Sequence, residues 1–102
     1  MKVPPKIDHL LERVREALDT GRFLDTVHTT QRQAERQITR PEMLYVLRHG
    51  WHEKRKDVFD TRYQAWNYAI RGKTIDGRQL RVVVSFEEDT KLLLITAIAL
   101  GE

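Results

Sequence analysis

The chain has 102 residues, 18 of them Lys or Arg and 15 Asp or Glu, for a formal net charge of +3. That length supports one domain around one core, and no apolar run reaches the roughly 18 residues of a membrane span. The absence of cysteine excludes disulfides, thiol nucleophiles and thiolate-ligated metals.

The charge is unevenly spread. Residues 22–86 carry thirteen basic and seven acidic side chains, whereas residues 87–102 carry one basic and four acidic. A basic middle segment suits a polyanionic partner. The opening Met1-Lys2-Val3-Pro4-Pro5 has no apolar signal-peptide core, so the expected location is the cytoplasm.

Ile7, Leu10, Leu11, Val14, Ala17 and Leu18 repeat at helical spacing, with Pro4 and Pro5 before them and Gly21 as a C′ stop. This predicts an amphipathic helix over residues 5–20. A second helix is expected from an N-cap at Asp25 or Thr26 to about Gln37. Its apolar stripe is poor, but it sets His28, Arg32 and Arg36 at i, i+4 and i+8 along one face. Thr39-Arg40-Pro41-Glu42 reads as a capping box with proline in the first turn. Met43, Leu44, Val46 and Leu47 form the buried face of that third helix, and Gly50 closes it.

Beyond Gly50 the period becomes two. Trp51 to Phe59, with the charge run Glu53-Lys54-Arg55-Lys56-Asp57, predicts a polar edge strand. Trp66, Tyr68 and Ile70 alternate with Asn67, Ala69 and Arg71, and Asp76-Gly77 marks a turn. Leu80, Val82, Val84 and Phe86 share one face of the next strand. Leu92 to Leu100 is apolar at nearly every position, which predicts a central strand with helices on one side and further cover on the other. The fold class is therefore α+β: N-terminal helices followed by an antiparallel sheet of three or four strands. Residues 1–102 form a single domain, with an N-terminal helical segment at 1–21 and helices plus meander at 22–100.

No Walker loop, Gly-rich dinucleotide fingerprint or serpentine Ser elbow is present. His49 and His52 straddle Gly50 and share no helical face, so neither a metal nor another cofactor is expected. What remains is cationic. Cleavage of RNA by its own 2′-hydroxyl needs a base, a cation on the pentacoordinate phosphate and an acid for the leaving oxygen. His28 titrates near neutrality, and Arg32 and Arg36 offer planar forks suited to phosphate. Lys54 (beside Glu53 on the predicted edge strand), Arg71 and Arg81 are further candidate phosphate ligands. Each also has a structural reading: a helix cap at His28, solvated ion pairs at Arg32 and Arg36, edge protection over 53–57. Trp51, Trp66, Tyr63 and Tyr68 read as core or interface residues.

Several segments occur in an informative order: His28-x3-Arg32-x3-Arg36, Ile38-Thr39-Arg40-Pro41-Glu42, Val46-Leu47-Arg48-His49-Gly50, Tyr68-Ala69-Ile70-Arg71-Gly72, Leu80-Arg81-Val82-Val83-Val84 and Leu94-Ile95-Thr96-Ala97-Ile98. Together, over residues 22–98, they resemble a family of small bacterial domains of unknown function related to the BrnT and RelE toxins of type II toxin–antitoxin systems. The resemblance implies a RelE-like α+β fold, metal-free ribonuclease activity and an antitoxin partner. It also implies that His28, Arg32 and Arg36 face the concave side of the sheet, joined there by Arg71 and Thr96.

The leading expectation is thus a metal-independent RNA endonuclease of the toxin type. His28, Arg32, Arg36 and Arg71 would be catalytic, and Lys54, Arg81 and Thr96 would bind substrate. RNA, free or on the ribosome, and an antitoxin protein are the expected partners, with no membrane. The N-terminal helix lies outside the resemblance and either packs on the sheet or pairs two copies. Two other readings stand beside this one: a non-catalytic protein-interaction module of RelE-like fold, and a helix–turn–helix DNA-binding protein whose turn is Ile38-Thr39-Arg40 and whose base-reading group is Arg48.

Overall fold

Apolar spacing governs the helices. The structure, a computed structural model, describes residues 3–26, 37–88 and 90–101. Helix α1 (Leu10–Thr20) buries Leu10, Val14, Ala17 and Leu18. It ends as expected on Gly21, at φ 73°, where the Gly21 N–H donates to the Leu18 carbonyl and the Arg22 N–H to that of Ala17. The helix begins later than its apolar pattern suggests. The Pro4 carbonyl accepts from Trp66 Nε1 at 2.8 Å and the Ile7 N–H donates to the Tyr68 hydroxyl at 2.9 Å, which holds residues 4–7 outside the helix as a strap.

Helix α2 (Arg40–His49) carries the expected capping box. The Glu42 N–H donates to Thr39 Oγ1 and the Thr39 N–H donates back to Glu42 Oε1. Met43, Val46 and Leu47 are its buried face. Gly50 ends this helix for a reason other than a left-handed cap, since its φ is −84°. A Cβ there would sit 2.4 Å from the Arg71 carbonyl oxygen, so glycine is needed for the close approach of helix end to strand.

The six strands are β1 (Phe23–Asp25), β2 (Trp51–His52), β3 (Val58–Asp60), β4 (Ala65–Lys73), β5 (Gln79–Glu87) and β6 (Lys91–Ala99). They form one sheet in the order β1-β6-β5-β4-β2, with β3 also paired to β4. β4, β5 and β6 are the predicted antiparallel meander. The sheet is larger than expected and mixed, because β1 runs parallel to β6. Three residues, Phe-Leu-Asp, are too few to show a period of two. Asp25, an expected helix cap, is the last residue of β1, and the Thr26 N–H extends the pairing to the Leu94 carbonyl. The rest of the second predicted helix lies outside the described residues, and so do His28, Arg32 and Arg36.

The predicted edge strand is divided. A 3₁₀ turn at Lys54–Lys56 separates β2 from β3, and both pair with β4 along the same edge. Across the break, Ala69 still has both backbone partners: its N–H donates to Asp57 Oδ1 and its carbonyl accepts from the Glu53 N–H, each at 2.9 Å.

The core lies between the helices and one face of the sheet, where Tyr68, Ile70, Leu80, Val82, Val84, Leu92, Leu94 and Ala97 meet α1, α2 and Ile38. A bulge opposite Val83 and Val84 shifts the register of β6, so Leu94 and then Ala97 face the core. That shift, together with a place between β1 and β5, accounts for the unbroken apolar run of this strand. The β4–β5 connection turns at Asp76-Gly77 as expected, with Gly77 at φ 87°. There the Thr74 hydroxyl, bonded to the Asp76 carboxylate, is the chief cause holding that carboxyl below its ordinary range. Arg78 then reaches both Glu42 carboxylate oxygens at 3.0 Å, fastening this hairpin to the start of α2. Among the described residues no helix is long and apolar enough to cross a membrane.

Candidate functional site

Strand alternation sets Tyr68, Ile70 and Gly72 toward the helices and Ala69 and Arg71 toward the other face. Arg71 and Arg81 are direct cross-strand partners, so their side chains leave that second face together. Trp51 pairs with Arg71 from β2, and the Arg71 guanidinium lies 5.8 Å from its ring centroid. Glu53, two residues on, reaches the same face at the point where the 3₁₀ turn begins.

These side chains converge on Glu53. Arg81 Nε donates to Glu53 Oε1 at 2.8 Å, and Arg71 Nη1 to Glu53 Oε2 at 3.4 Å. Arg71 is further fixed by Gln79, whose Oε1 accepts from Nε at 3.2 Å and Nη2 at 2.7 Å. Glu53 is only 7% exposed. The Arg81 hydrogen bond, opposed by burial and reinforced by the charges of both arginines, lowers its pKa from the ordinary 4.5. The carboxylate is therefore ionised at neutral pH, and two guanidiniums around one carboxylate leave one positive charge in excess. Among the described residues the two terminal nitrogens of Arg81 have no partner, while its side chain is 18% exposed. Those nitrogens are a donor fork of the geometry that suits a phosphate.

The sequence-predicted site residues divide. Arg71 and Arg81 come together. Thr96 pairs with Val83 on β5, which places it on the arginine face one alternation away. Lys54 does not join them: it is exposed on the 3₁₀ turn and lines a separate cavity of about 510 Å³ with Lys6, His9 and His52. The 3₁₀ turn is the reason, because it breaks the alternation that an unbroken strand would have kept. Arg48, the expected base-reading group, is ion-paired to Asp19 at 2.8 Å.

Two features escaped the sequence reading. Gln79 sits beside the Asp-Gly turn, and only the Lys73–Gln79 register reveals that it orients Arg71. The second is a network on the helix side of the sheet. Asp57 Oδ2 meets His52 Nε2 at 2.7 Å and Lys6 Nζ at 2.9 Å, and the Asp57 side chain is wholly buried. Within a run of five charged residues, burial of one acid has no local signal.

Residues 26–99 match the profile of a family described as Domain of unknown function (DUF4258). No curated protein and no solved structure matches the chain.

Proposed function

We propose that this chain, which belongs to the DUF4258 family, binds RNA on the sheet face that carries Arg71 and Arg81 and cleaves it without a metal, as the toxin of a type II toxin–antitoxin pair. The observation that carries the reading is the unpartnered guanidinium fork of Arg81 beside Arg71, poised by an ionised Glu53. Such a pair donates to two non-bridging phosphate oxygens and stabilises the charge that grows on them in the transition state.

In the reaction the 2′-oxygen attacks the adjacent phosphorus and the P–O5′ bond breaks, leaving a 2′,3′-cyclic phosphate and a 5′-hydroxyl. One group takes the 2′-hydroxyl proton and another supplies a proton to O5′. The imidazole of His28 suits either transfer by its titration range, and Arg32 and Arg36 add to the phosphate-binding charge. Thr96 supports the ribose or phosphate from β6.

The test is incubation of the purified chain with RNA in EDTA, alongside Arg81→Ala and His28→Ala. Cleavage by the parent, reduced about tenfold or more in each variant, is the expected result. Intact RNA in every tube, with no growth arrest when the chain is induced, would sink the reading.

A second reading, a non-catalytic partner-binding module, is favoured by one observation. Trp51 and Val58, on the short edge strands β2 and β3, are 53% and 61% exposed, and an open edge invites strand addition. It predicts that Val58→Lys weakens binding of a protein partner while Arg81→Ala leaves it unchanged.

A further inference from the structure

The arginine face continues into a groove of about 900 Å³ at its other end, lined by Tyr63, Gln64, Asn67, Ser85, Leu93 and Ile95. Asn67 and Arg71 alternate onto one face of β4, and Ser85 and Arg81 onto one face of β5. In each strand they are four residues apart, about 13 Å. The groove and the guanidinium fork therefore lie along one track.

Their electrostatics are opposite. Asp60, Glu87 and Glu88 also line the groove, so phosphate is repelled there and drawn to the arginine end. What the groove offers instead is a mixed, uncharged lining. Tyr63 is 71% exposed, with the Arg62 guanidinium 6.0 Å from its ring centroid. The Gln64 amide is oriented by donating from Nε2 to the Thr61 carbonyl at 2.7 Å, and Asn67 brings a second amide. Leu93 and Ile95 supply the apolar floor. An aromatic face, two amides and an apolar floor beside a phosphate site are the groups that hold an unstacked base.

We infer that the groove is a nucleobase subsite for an RNA strand whose phosphate is held by Arg71 and Arg81, which makes single-stranded RNA the ligand in preference to duplex. A base must leave its helical stack to lie on Tyr63. The inference rests on the proposed function, because the same strand must reach the arginines.

The experiment measures Kd by fluorescence anisotropy for a short single-stranded oligoribonucleotide of mixed sequence, 2′-O-methylated so that it cannot be cleaved. A copy with abasic central positions and a duplex of the same sequence are compared with it. The variants are Tyr63→Ala, Tyr63→Phe and Arg81→Ala. The intact strand is expected to bind about tenfold more tightly than the abasic copy or the duplex. Tyr63→Ala, at an exposed turn, should erase that advantage and Tyr63→Phe should keep it. Equal binding of intact and abasic strands, both weakened by Arg81→Ala, would overturn the subsite and leave the phosphate site standing. An abasic difference that Tyr63→Ala leaves intact would overturn it too. No binding, or binding indifferent to Arg81→Ala, would overturn both.

Discussion

Glu53 and Asp57 stand four residues apart in one charge run, and the fold sends them to opposite faces of the same sheet. Glu53 is nearly buried and meets two arginines, one of which keeps a donor fork unpartnered among the described residues. Asp57 is wholly buried and accepts hydrogen bonds from the Ala69 N–H and from Lys6, with His52 against its other oxygen. Both carboxylates are compensated, but only the first is overcompensated. A site that closes its charge balance holds architecture together. A site left with a spare cation has something to offer a ligand.

The sharpest way to break that contrast is Asp57→Ala. It removes the acceptor for a backbone N–H inside the sheet and strips a buried partner from His52 and Lys6. Unsatisfied buried donors and broken buried ion pairs each cost a few kcal/mol, so a loss of about 3 kcal/mol is expected in urea unfolding. In a chain of this size that lowers Tm by roughly 12–24 °C. An effect below about 1 kcal/mol would show that Asp57 is no more structural than an exposed acid.

Next in size is Arg81→Lys, aimed at the other side of the contrast. Lysine keeps a positive charge for Glu53 but cannot present a planar fork. Affinity for RNA should fall about tenfold, near 1.4 kcal/mol, with stability changed by less than about 1 kcal/mol. A stability loss larger than the binding loss would make Arg81 a second Asp57, a group whose work is holding the fold.

How much of this was readable beforehand depended on scale. The capping box at Thr39–Glu42, the Gly21 stop and the β4–β5–β6 meander each rest on signals a few residues wide, and the structure shows all three. Arg71 and Arg81 were candidates as cations, yet their pairing needed the strand register. The parallel strand β1 was missed because three residues carry no period. The break between β2 and β3 was missed because its cause is distant: Arg71 and Arg81 hold Glu53 on one face, while Ala69 and Lys6 hold Asp57 from the other. Local pattern shows that a run is charged. It does not show which charge the tertiary structure buries.

Glu53→Gln sharpens the comparison through pH. The folded-state pKa of Glu53 is lowered below the unfolded value of 4.5. Above 4.5 the unfolded chain has already lost this proton, and the ionised group contributes its full stabilisation. As pH falls below 4.5 the unfolded state takes up a proton first, and the contribution fades until the folded-state value is passed. The parent should therefore exceed Glu53→Gln by about 1–2 kcal/mol at pH 7, with the gap closing in strongly acidic solution. Denaturant titrations of both proteins across pH check this. A gap that widens with acid would mean that Glu53 is protonated in the fold and the arginines carry two uncompensated charges.

The smallest effect belongs to Lys6→Ala. Its ammonium pairs with Asp57 at 2.9 Å and lies 4.9 Å from the Trp66 ring centroid, but the side chain is 36% exposed. Water can replace much of what is lost there, and Asp57 keeps His52 and the Ala69 N–H. A cost of about 1 kcal/mol or less is expected, concentrated in the strap that Pro4 and Ile7 fasten to Trp66 and Tyr68. Hydrogen exchange at the Ile7 amide should therefore quicken while the amides of β4 and β5 keep their protection. If β4 loosened as well, the strap would be part of the sheet's own cooperative unit. Asp57 and Glu53 would then be coupled through the strand that separates them, and Lys6→Ala would weaken RNA binding from the far side of the sheet.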